Sequence, residues 1–352
     1  VRTRRVSLDR IASSTRNAGL GKEVLVGEEI ACREGYVLAV RILFDKAVYN
    51  QVESVDGRMV PLRKGDVLAG VLGSRRALRG YAGEVPDRLA PGDVVNVLNL
   101  GGVLGRCTAA NPDLGRPFDA EVLGAVLAFP RIGHRVGVPA HIRAGAIPPG
   151  EALRCRVPLV LVAGTCMNSG KTVAASEIIR GLARAGRRVG AVKLTGVSLR
   201  RDTLSMEDSG AVLALSFTDA GVVSTRDEDV LPAARGLLNH LAREGKPDVI
   251  VAELGDGILG EYGVHVLLSD PGIRSLAAAL VVCAPDQVGA WGAWRVLEER
   301  FGLRPDVISG PATDNEVGTS FIEKELGIPA ANARRNPEGL TALVEEALHG
   351  AV

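Results

Sequence analysis

The sequence predicts an α/β protein: a mostly parallel sheet with helices on both faces, preceded by a smaller β-rich, barrel-like domain. Three observations carry that prediction. From Val157 onward, short apolar runs alternate with helical patterns. Strands that are apolar throughout are those buried on both faces of a parallel sheet. Before about residue 129 the chain carries short β-prone runs separated by Gly, Asp and Pro turns. Between these regions lies a Pro- and Gly-rich stretch with Pro130, Pro139, Pro148 and Pro149. The expected division is a β barrel or sandwich over 1–129, a connector over 130–156 and an α/β domain over 157–352.

The front runs are Val24–Val26, Tyr36–Val40, Ile42–Phe44, Val67–Leu72 and Val94–Leu98. A weak repeat joins two of them. Leu62-Arg63-Lys64-Gly65-Asp66-Val67-Leu68 returns 27 residues later as Leu89-Ala90-Pro91-Gly92-Asp93-Val94-Val95. A Gly-Asp turn feeding a strand, used twice, suits a small pseudo-symmetric barrel. The segment Leu100–Gly105 reads as a glycine turn, for tight backbone packing or for ligand contact. Asn99, Thr108, Asn111 and Asp113 are the polar residues beside it. His134 and His141 fall in the connector without a Cys or acidic partner at metal-ligand spacing.

In the second region the strands are expected at 159–163, 189–194, 249–252, 280–284 and 307–309. Helices are expected at 173–185, 231–243, 288–301, 316–326 and 337–349. The stretch after 194 reads as a polar loop to about Ser209, then a short helix through Leu215.

The most specific motif is Gly164-Thr165-Cys166-Met167-Asn168-Ser169-Gly170-Lys171-Thr172. It follows an apolar strand and opens a helix, which is the context of a phosphate-binding loop. Backbone N–H groups of Gly164, Thr165, Asn168, Ser169, Gly170, Lys171, Thr172 and Val173 would cradle a nucleotide's phosphates. Lys171 would neutralise the terminal ones and the Thr172 hydroxyl would ligate Mg²⁺. The helix N-terminus favours the same anion. The spacing departs from the common pattern: five residues, not four, separate Gly164 from Gly170. Cys166 lies inside the loop, where residues usually present backbone rather than a nucleophile.

Ligands of open α/β sheets lie beyond the strands' carboxyl ends. That selects Lys193, Thr195, Gly196 and Ser198 after one strand and Glu253, Gly255, Asp256 and Gly257 after another. It also selects Pro285, Asp286 and Gln287, and then Thr313, Asp314 and Asn315. Glu253, an acid ending an apolar strand, is the natural second anchor for Mg²⁺. Asp202 or Asp208 would complete the metal shell. Lys193 would hold an anionic substrate beside the loop. Trp291 and Trp294 suit either an aromatic wall for a ligand or helix packing.

Composition narrows the function classes. The chain has 352 residues, 46% hydrophobic but only 3% aromatic, so its cores rest on Val, Leu, Ile and Ala. A net charge of +1 gives no footprint for nucleic acid or a basic membrane anchor. Five scattered cysteines without a CxxC pair read as reduced thiols. No apolar stretch approaches a membrane span of about 18 residues, and the N-terminus lacks a signal-peptide core. A cytoplasmic, soluble protein is expected.

The order Gly164-Thr165…Gly170-Lys171-Thr172-Val173-Ala174, then Val189-Gly190…Lys193, then Glu253 resembles dethiobiotin synthetase. The resemblance implies ATP and Mg²⁺ as cofactors, with Lys171 and Lys193 binding ATP and a carbamate. It implies Thr172, Glu253 and a loop acid as metal ligands, Asp208 being preferred to Asp202. It also implies a homo-oligomer, a dimer. The family's Glu-Gly-Ala-Gly-Gly is here Glu253-Leu254-Gly255-Asp256-Gly257, which leaves the substrate open. Residues 150 to 350 also resemble a bacterial P-loop family that includes D-glutamate N-acetyltransferase-like proteins. The stretches carrying this are Ala163–Thr172, Lys193-Leu194-Thr195-Gly196, Phe217-Thr218-Asp219-Ala220-Gly221 and Glu253…Asp256-Gly257. The β-rich front half differs from the Rossmann-type front half expected there.

Together these readings predict an ATP- and Mg²⁺-dependent phosphoryl-transfer enzyme, ligase- or kinase-like, activating a carboxylate on a small anionic metabolite. Lys171, Lys193 and Glu253 are its expected catalytic residues. The alternatives are an acyltransferase whose loop holds coenzyme A phosphates, and a nucleotide switch or metallochaperone. No Asn-Lys-x-Asp guanine reader is present, which favours ATP over GTP.

Overall fold

A computed structural model describes residues 3–77, 80–130 and 136–350. The chain forms two compact units. The first comprises Val1–Ile147, Val197–Arg201 and Thr218–Ser224; the second comprises Pro148–Gly196, Asp202–Phe217 and Thr225–Val352.

The first unit is built of strands β1 (Thr3–Ser7), β2 (Arg10–Ile11), β3 (Glu23–Gly27), β4 (Val37–Ile42), β5 (Gln51–Glu53), β6 (Met59–Pro61) and β7 (Val67–Leu72). It continues with β8 (Arg75–Arg76), β9 (Tyr81–Glu84), β10 (Val94–Val97), β11 (Val103–Ala110), β12 (Phe118–Ala128) and β13 (Val138–Pro139). Strand β12 pairs with β4, β4 with β7, β7 with β11, β11 with β10, and β10 again with β12. The circuit closes, so the strands form a barrel. Period-2 alternation fills both faces: Leu38, Val40, Leu68 and Leu72 share one apolar cluster, and Val37, Ala39, Ala69 and Val71 share another.

The repeat seen in the sequence is a repeat of structure. Before β7, Asp66 Oδ2 accepts from Arg63 N at 3.0 Å; before β10, Asp93 Oδ2 accepts from Ala90 N at 2.7 Å. Gly65 and Gly92 stand at φ 94° and 96° in the matching turn position, a conformation glycine adopts at little cost. The sequence did not reveal β11 and β12, the two longest strands. Arg, Cys and Thr interrupt the first, and a bulge between Val122 and Gly124 breaks the alternation of the second. The expected run Ile42–Phe44 is no separate strand, since β4 ends at Ile42.

Polar residues singled out in this unit serve its packing. Asn99 donates to Ser198 O at 2.8 Å and accepts from Val103 N at 3.0 Å, fixing the glycine turn. Asn111 caps a short 3₁₀ turn through Asp113 N, and Thr108 is exposed on β11. Asp219 pairs with Arg16 at 2.6 Å. His141 stacks edge-on against Tyr36 and accepts from Arg143 N; His134 lies outside the described residues.

The second unit has a six-stranded sheet of β14 (Leu159–Gly164), β15 (Val189–Thr195), β16 (Leu213–Ser216), β17 (Val249–Leu254), β18 (Ala277–Cys283) and β19 (Val307–Ser309). All pairs are parallel, in the order β16-β15-β17-β14-β18-β19. The helices are α1 (Lys171–Arg184), α2 (Arg201–Asp208), α3 (Asp227–Glu244), α4 (Val264–Ser269), α5 (Pro271–Leu276), α6 (Gln287–Phe301), α7 (Glu316–Phe321) and α8 (Pro337–Gly350). Ala174, Ala175, Ile178, Ile179 and Leu182 form the buried stripe of α1, packed in the core with strand residues Val160, Val162 and Val251. The predicted α/β class with its β-rich front unit is the observed one.

One local expectation is reversed. The stretch read as a polar loop contains α2, and the stretch read as a short helix is β16. Helix α2 buries Asp202, Thr203 and Met206, a helical spacing hidden in a polar sequence. Leu213 to Ser216 satisfy their backbone groups as the sheet's edge strand, Leu213 opposite Gly190 and Ser216 opposite Lys193. Helices α4 and α5 were also not expected; at six residues each, split by Asp270-Pro271, they are too short to show a period. Among the described residues, no helix is long and apolar enough to cross a membrane.

Candidate functional site

The central strand β14 ends at Gly164 and the chain turns through the loop into α1. Asn168 at φ 63° and Gly170 at φ 99° provide the left-handed backbone of that turn. Ser169 is fully buried, and Lys171 is only 6% exposed. The lysine therefore does not reach into solvent. Its Nζ donates to Cys166 O at 2.8 Å and lies 3.5 Å from Ser169 Oγ. Burial pushes its pKa below the usual lysine range, against the opposing pull of Glu253.

Sheet register assembles the rest. Lys193 of β15 stands opposite Glu253 of β17, and Glu253 stands opposite Val162 of β14. The carboxylate and the second lysine thus project at one level beside the loop. Glu253 is 1% exposed. Its Oε1 accepts from Thr172 Oγ1 at 3.1 Å and lies 3.3 Å from Lys193 Nζ. Its Oε2 is buried without a hydrogen-bond partner. Asp202, the second residue of α2, forms an ion pair with Lys193. Burial works against the Lys193 charge, but Glu253 and Asp202 outweigh it and hold its pKa above the usual range.

Lys171, Thr172, Lys193, Asp202 and Glu253 are thereby brought together. Asp208 is not among them. It is the exposed last residue of α2, at the helix end and not at the start of one. It lies six positions after Asp202, about 9 Å along the helix axis.

The loop after β17 packs against the phosphate-loop backbone. Ile258 N donates to Gly164 O at 2.9 Å. A Cβ at Gly257 would come within 2.5 Å of Thr165 O, so glycine is what this approach allows. Thr195 Oγ1 donates to Gly255 O, joining the ends of β15 and β17.

At the ends of β18 and β19 the candidates have structural partners. Asp286 caps α6 through Gly289 N at 2.7 Å, and Asn315 caps α7 through Gly318 N at 3.1 Å. Thr313 donates to Gly310 O at 2.8 Å. Trp294 packs beside Ala290 and Ile322, while Trp291 is half exposed. Asn332, which no sequence pattern marks, donates to Thr313 Oγ1 at 3.1 Å and to Asp314 Oδ1 at 2.8 Å. Cys283, ending β18, is fully buried, and burial pushes its pKa up to about 12.

Strand, glycine loop and helix in a parallel sheet make this unit a P-loop fold. Among the described residues, no cluster of three or more His, Cys, Asp or Glu side chains is placed to hold a metal ion by itself. No family model and no curated protein matches the chain. Among solved structures, a DUF1611 family protein from Anabaena variabilis is similar at 18% identity over 57% of this chain, with a TM-score of 0.39. The signal recognition particle receptor FtsY from Elizabethkingia anophelis is similar at 10% identity, covering 57% of this chain and 67% of that one, with a TM-score of 0.38. A LAO/AO transport system kinase is similar at 15% identity, covering 56% and 65%, with a TM-score of 0.32. The chain spans 63% of the length of the DUF1611 family protein.

Proposed function

We propose that the second unit binds a nucleotide, ATP in our reading, and transfers its terminal phosphoryl group to an oxyanion on a small metabolite, as a ligase or kinase does. The observation that carries this is the contact of Thr172 Oγ1 with Glu253 Oε1 at 3.1 Å, at the head of a helix whose first residue is the loop lysine. Phosphoryl transfer needs positioning and charge neutralisation more than covalent chemistry, and this site supplies cations and oxygen donors.

The donor set suits Mg²⁺. Glu253 Oε2 is a buried oxygen without a partner, the Thr172 hydroxyl meets the other oxygen, and Asp202 lies one lysine away. Mg²⁺ takes one or two carboxylates and completes its shell with water and phosphate oxygens. Thr172 and Glu253 would hold it, with Asp202 rather than Asp208 as the third group. When bound, it supplies charge neutralisation at the phosphates. Lys171 would hold the terminal phosphate, exchanging its bond to Cys166 O for one to the anion. Lys193 would face the acceptor.

The test is a thermal-shift comparison of ATP, GTP and acetyl-CoA with and without Mg²⁺, followed by assays of ADP and free thiol. ADP that appears only with a carboxylate acceptor supports the reading. Thiol release from acetyl-CoA without ADP would overturn it in favour of an acyltransferase. Slow ADP formation without any small acceptor would point to a switch.

A further inference from the structure

Lys193 and a divalent cation claim the same oxygens. The ammonium is paired with the Asp202 carboxylate and lies 3.3 Å from Glu253 Oε1. That oxygen also accepts the Thr172 hydroxyl. A lysine held between two carboxylates has its charge already answered, so it offers little to an anionic acceptor. A divalent cation seated on Glu253 and Asp202 would answer the same two charges and repel the ammonium from them.

Glycines border the end of the Lys193 side chain. Its stem passes two glycines. A Cβ at Gly255 would lie 3.2 Å from Lys193 Cε and 3.7 Å from Nζ, and one at Gly196 would lie 3.5 Å from Cε. A side chain at Gly255 would press on the end of the stem, and one at Gly196 would touch it; glycine at both keeps that end uncrowded.

Resting on the reading that Thr172, Glu253 and Asp202 hold the metal, we propose that Lys193 is exchanged by the cation. Metal binding displaces its ammonium from the carboxylates and turns it to the acceptor anion, so that metal precedes acceptor in the binding order. Lys193 is then a substrate-binding residue only after the metal has arrived. No bond is made or broken in the exchange.

The experiment is amine acylation of the full chain, with the rate at Lys193 read by peptide mass spectrometry and exposed Lys22 as the internal reference. Mn²⁺ alone is the metal probe, without nucleotide. Labelling of Lys193 is expected to rise several-fold with Mn²⁺ while Lys22 stays constant. Asp202→Asn should raise it without metal, because half of the clasp is gone. Lys193→Met should bind Mn²⁺ about tenfold or more tightly, having lost the competing cation. Lys193 labelling that is unchanged or lower with Mn²⁺ overturns the exchange. If Mg-ATP still binds in that case, the nucleotide reading stands and only the exchange falls. If neither Mg-ATP nor Mn²⁺ binds the parent protein, both fall.

Discussion

Both flanks of the central strand β14 carry polar residues and use them differently. Toward β17 and β15, Thr172, Lys193, Asp202 and Glu253 bond chiefly to one another, and one buried carboxylate oxygen has no partner. Toward β18 and β19, Asp286 and Asn315 bond to backbone N–H groups that helix starts leave unpaired, and Thr313 bonds to the Gly310 carbonyl of its own turn. Position beyond a strand's carboxyl end selects candidates. What each side chain is already bonded to separates the chemical flank from the structural one. Side chains bonded to other side chains can exchange those partners with a ligand without unmaking the backbone.

The sharpest break of that comparison is Lys171→Ala. Nucleotide binding should weaken by about 10²-fold or more, as loss of a charged phosphate-binding donor does. Calorimetry with Mg-ATP measures it, and affinity within a few-fold of the parent would remove the phosphate-loop assignment. Next comes Glu253→Gln, which should cost on the order of 10²-fold in turnover and change the Mg²⁺ dependence. Asp202→Asn should raise the Mg²⁺ concentration needed for half-maximal ATP binding, whereas Asp208→Asn should leave it unchanged. The reverse order of effects would return the third ligand to Asp208, the sequence's first preference.

Much of this flank was legible in the sequence because its signals are local. The phosphate loop is one contiguous motif, and Glu253 ends a run of apolar residues. The choice between Asp202 and Asp208 was not legible. It depends on α2 starting at Arg201, and α2 is a polar helix whose buried positions only packing reveals. The pairing of Lys193 with Glu253 was equally hidden, since register between β15 and β17 is a long-range property. On the other flank the rule over-predicted. Asp286 and Asn315 each stand three residues before a glycine N–H at a helix start, a capping spacing that reads in sequence like a strand-end site. Asn332 left no signal, because its partners Thr313 and Asp314 are brought to it by the fold.

Substitutions on the structural flank should cost stability and spare binding. Asn332→Ala strips buried partners from Thr313 Oγ1 and from the N–H groups of Arg334 and Arg335. A loss of about 1–3 kcal/mol is expected, read by urea unfolding. Asp286→Ala and Asn315→Ala each remove a helix cap worth about 1 kcal/mol, a fall of about 2–4 °C in Tm for a unit of this size. Mg-ATP affinity should stay within about twofold for all three, since 1 kcal/mol of fold stability leaves a folded site intact. A binding loss beyond that in Asp286→Ala or Asn315→Ala would move these residues into the site and erase the contrast between the flanks.

The smallest expected effect lies at the seam. Cys283 ends β18, and its carbonyl accepts from Thr165 N at 3.1 Å, so it adjoins the loop without serving it. Burial raises its folded-state pKa to about 12, with the nearby Lys171 opposing and Glu253 adding to the rise. A thiol's unfolded pKa is about 8.5. The folded state therefore favours the protonated form. That contribution is complete below about pH 8.5 and is lost as pH climbs from there toward 12. Lys171 acts in the opposite sense: its pKa is lowered by burial, so its charge burdens the fold at neutral pH and the burden lifts as the ammonium deprotonates. A single alkaline melting curve mixes the two. Comparing the parent with Cys283→Ala between pH 8 and 10.5 isolates the thiol. The variant should start less stable, because a buried sulfur is gone, but should lose less Tm over that interval. Parallel pH curves for the two proteins would mean that the thiol ionises as freely in the fold as out of it, and that β18 is open to water where the structure has it sealed.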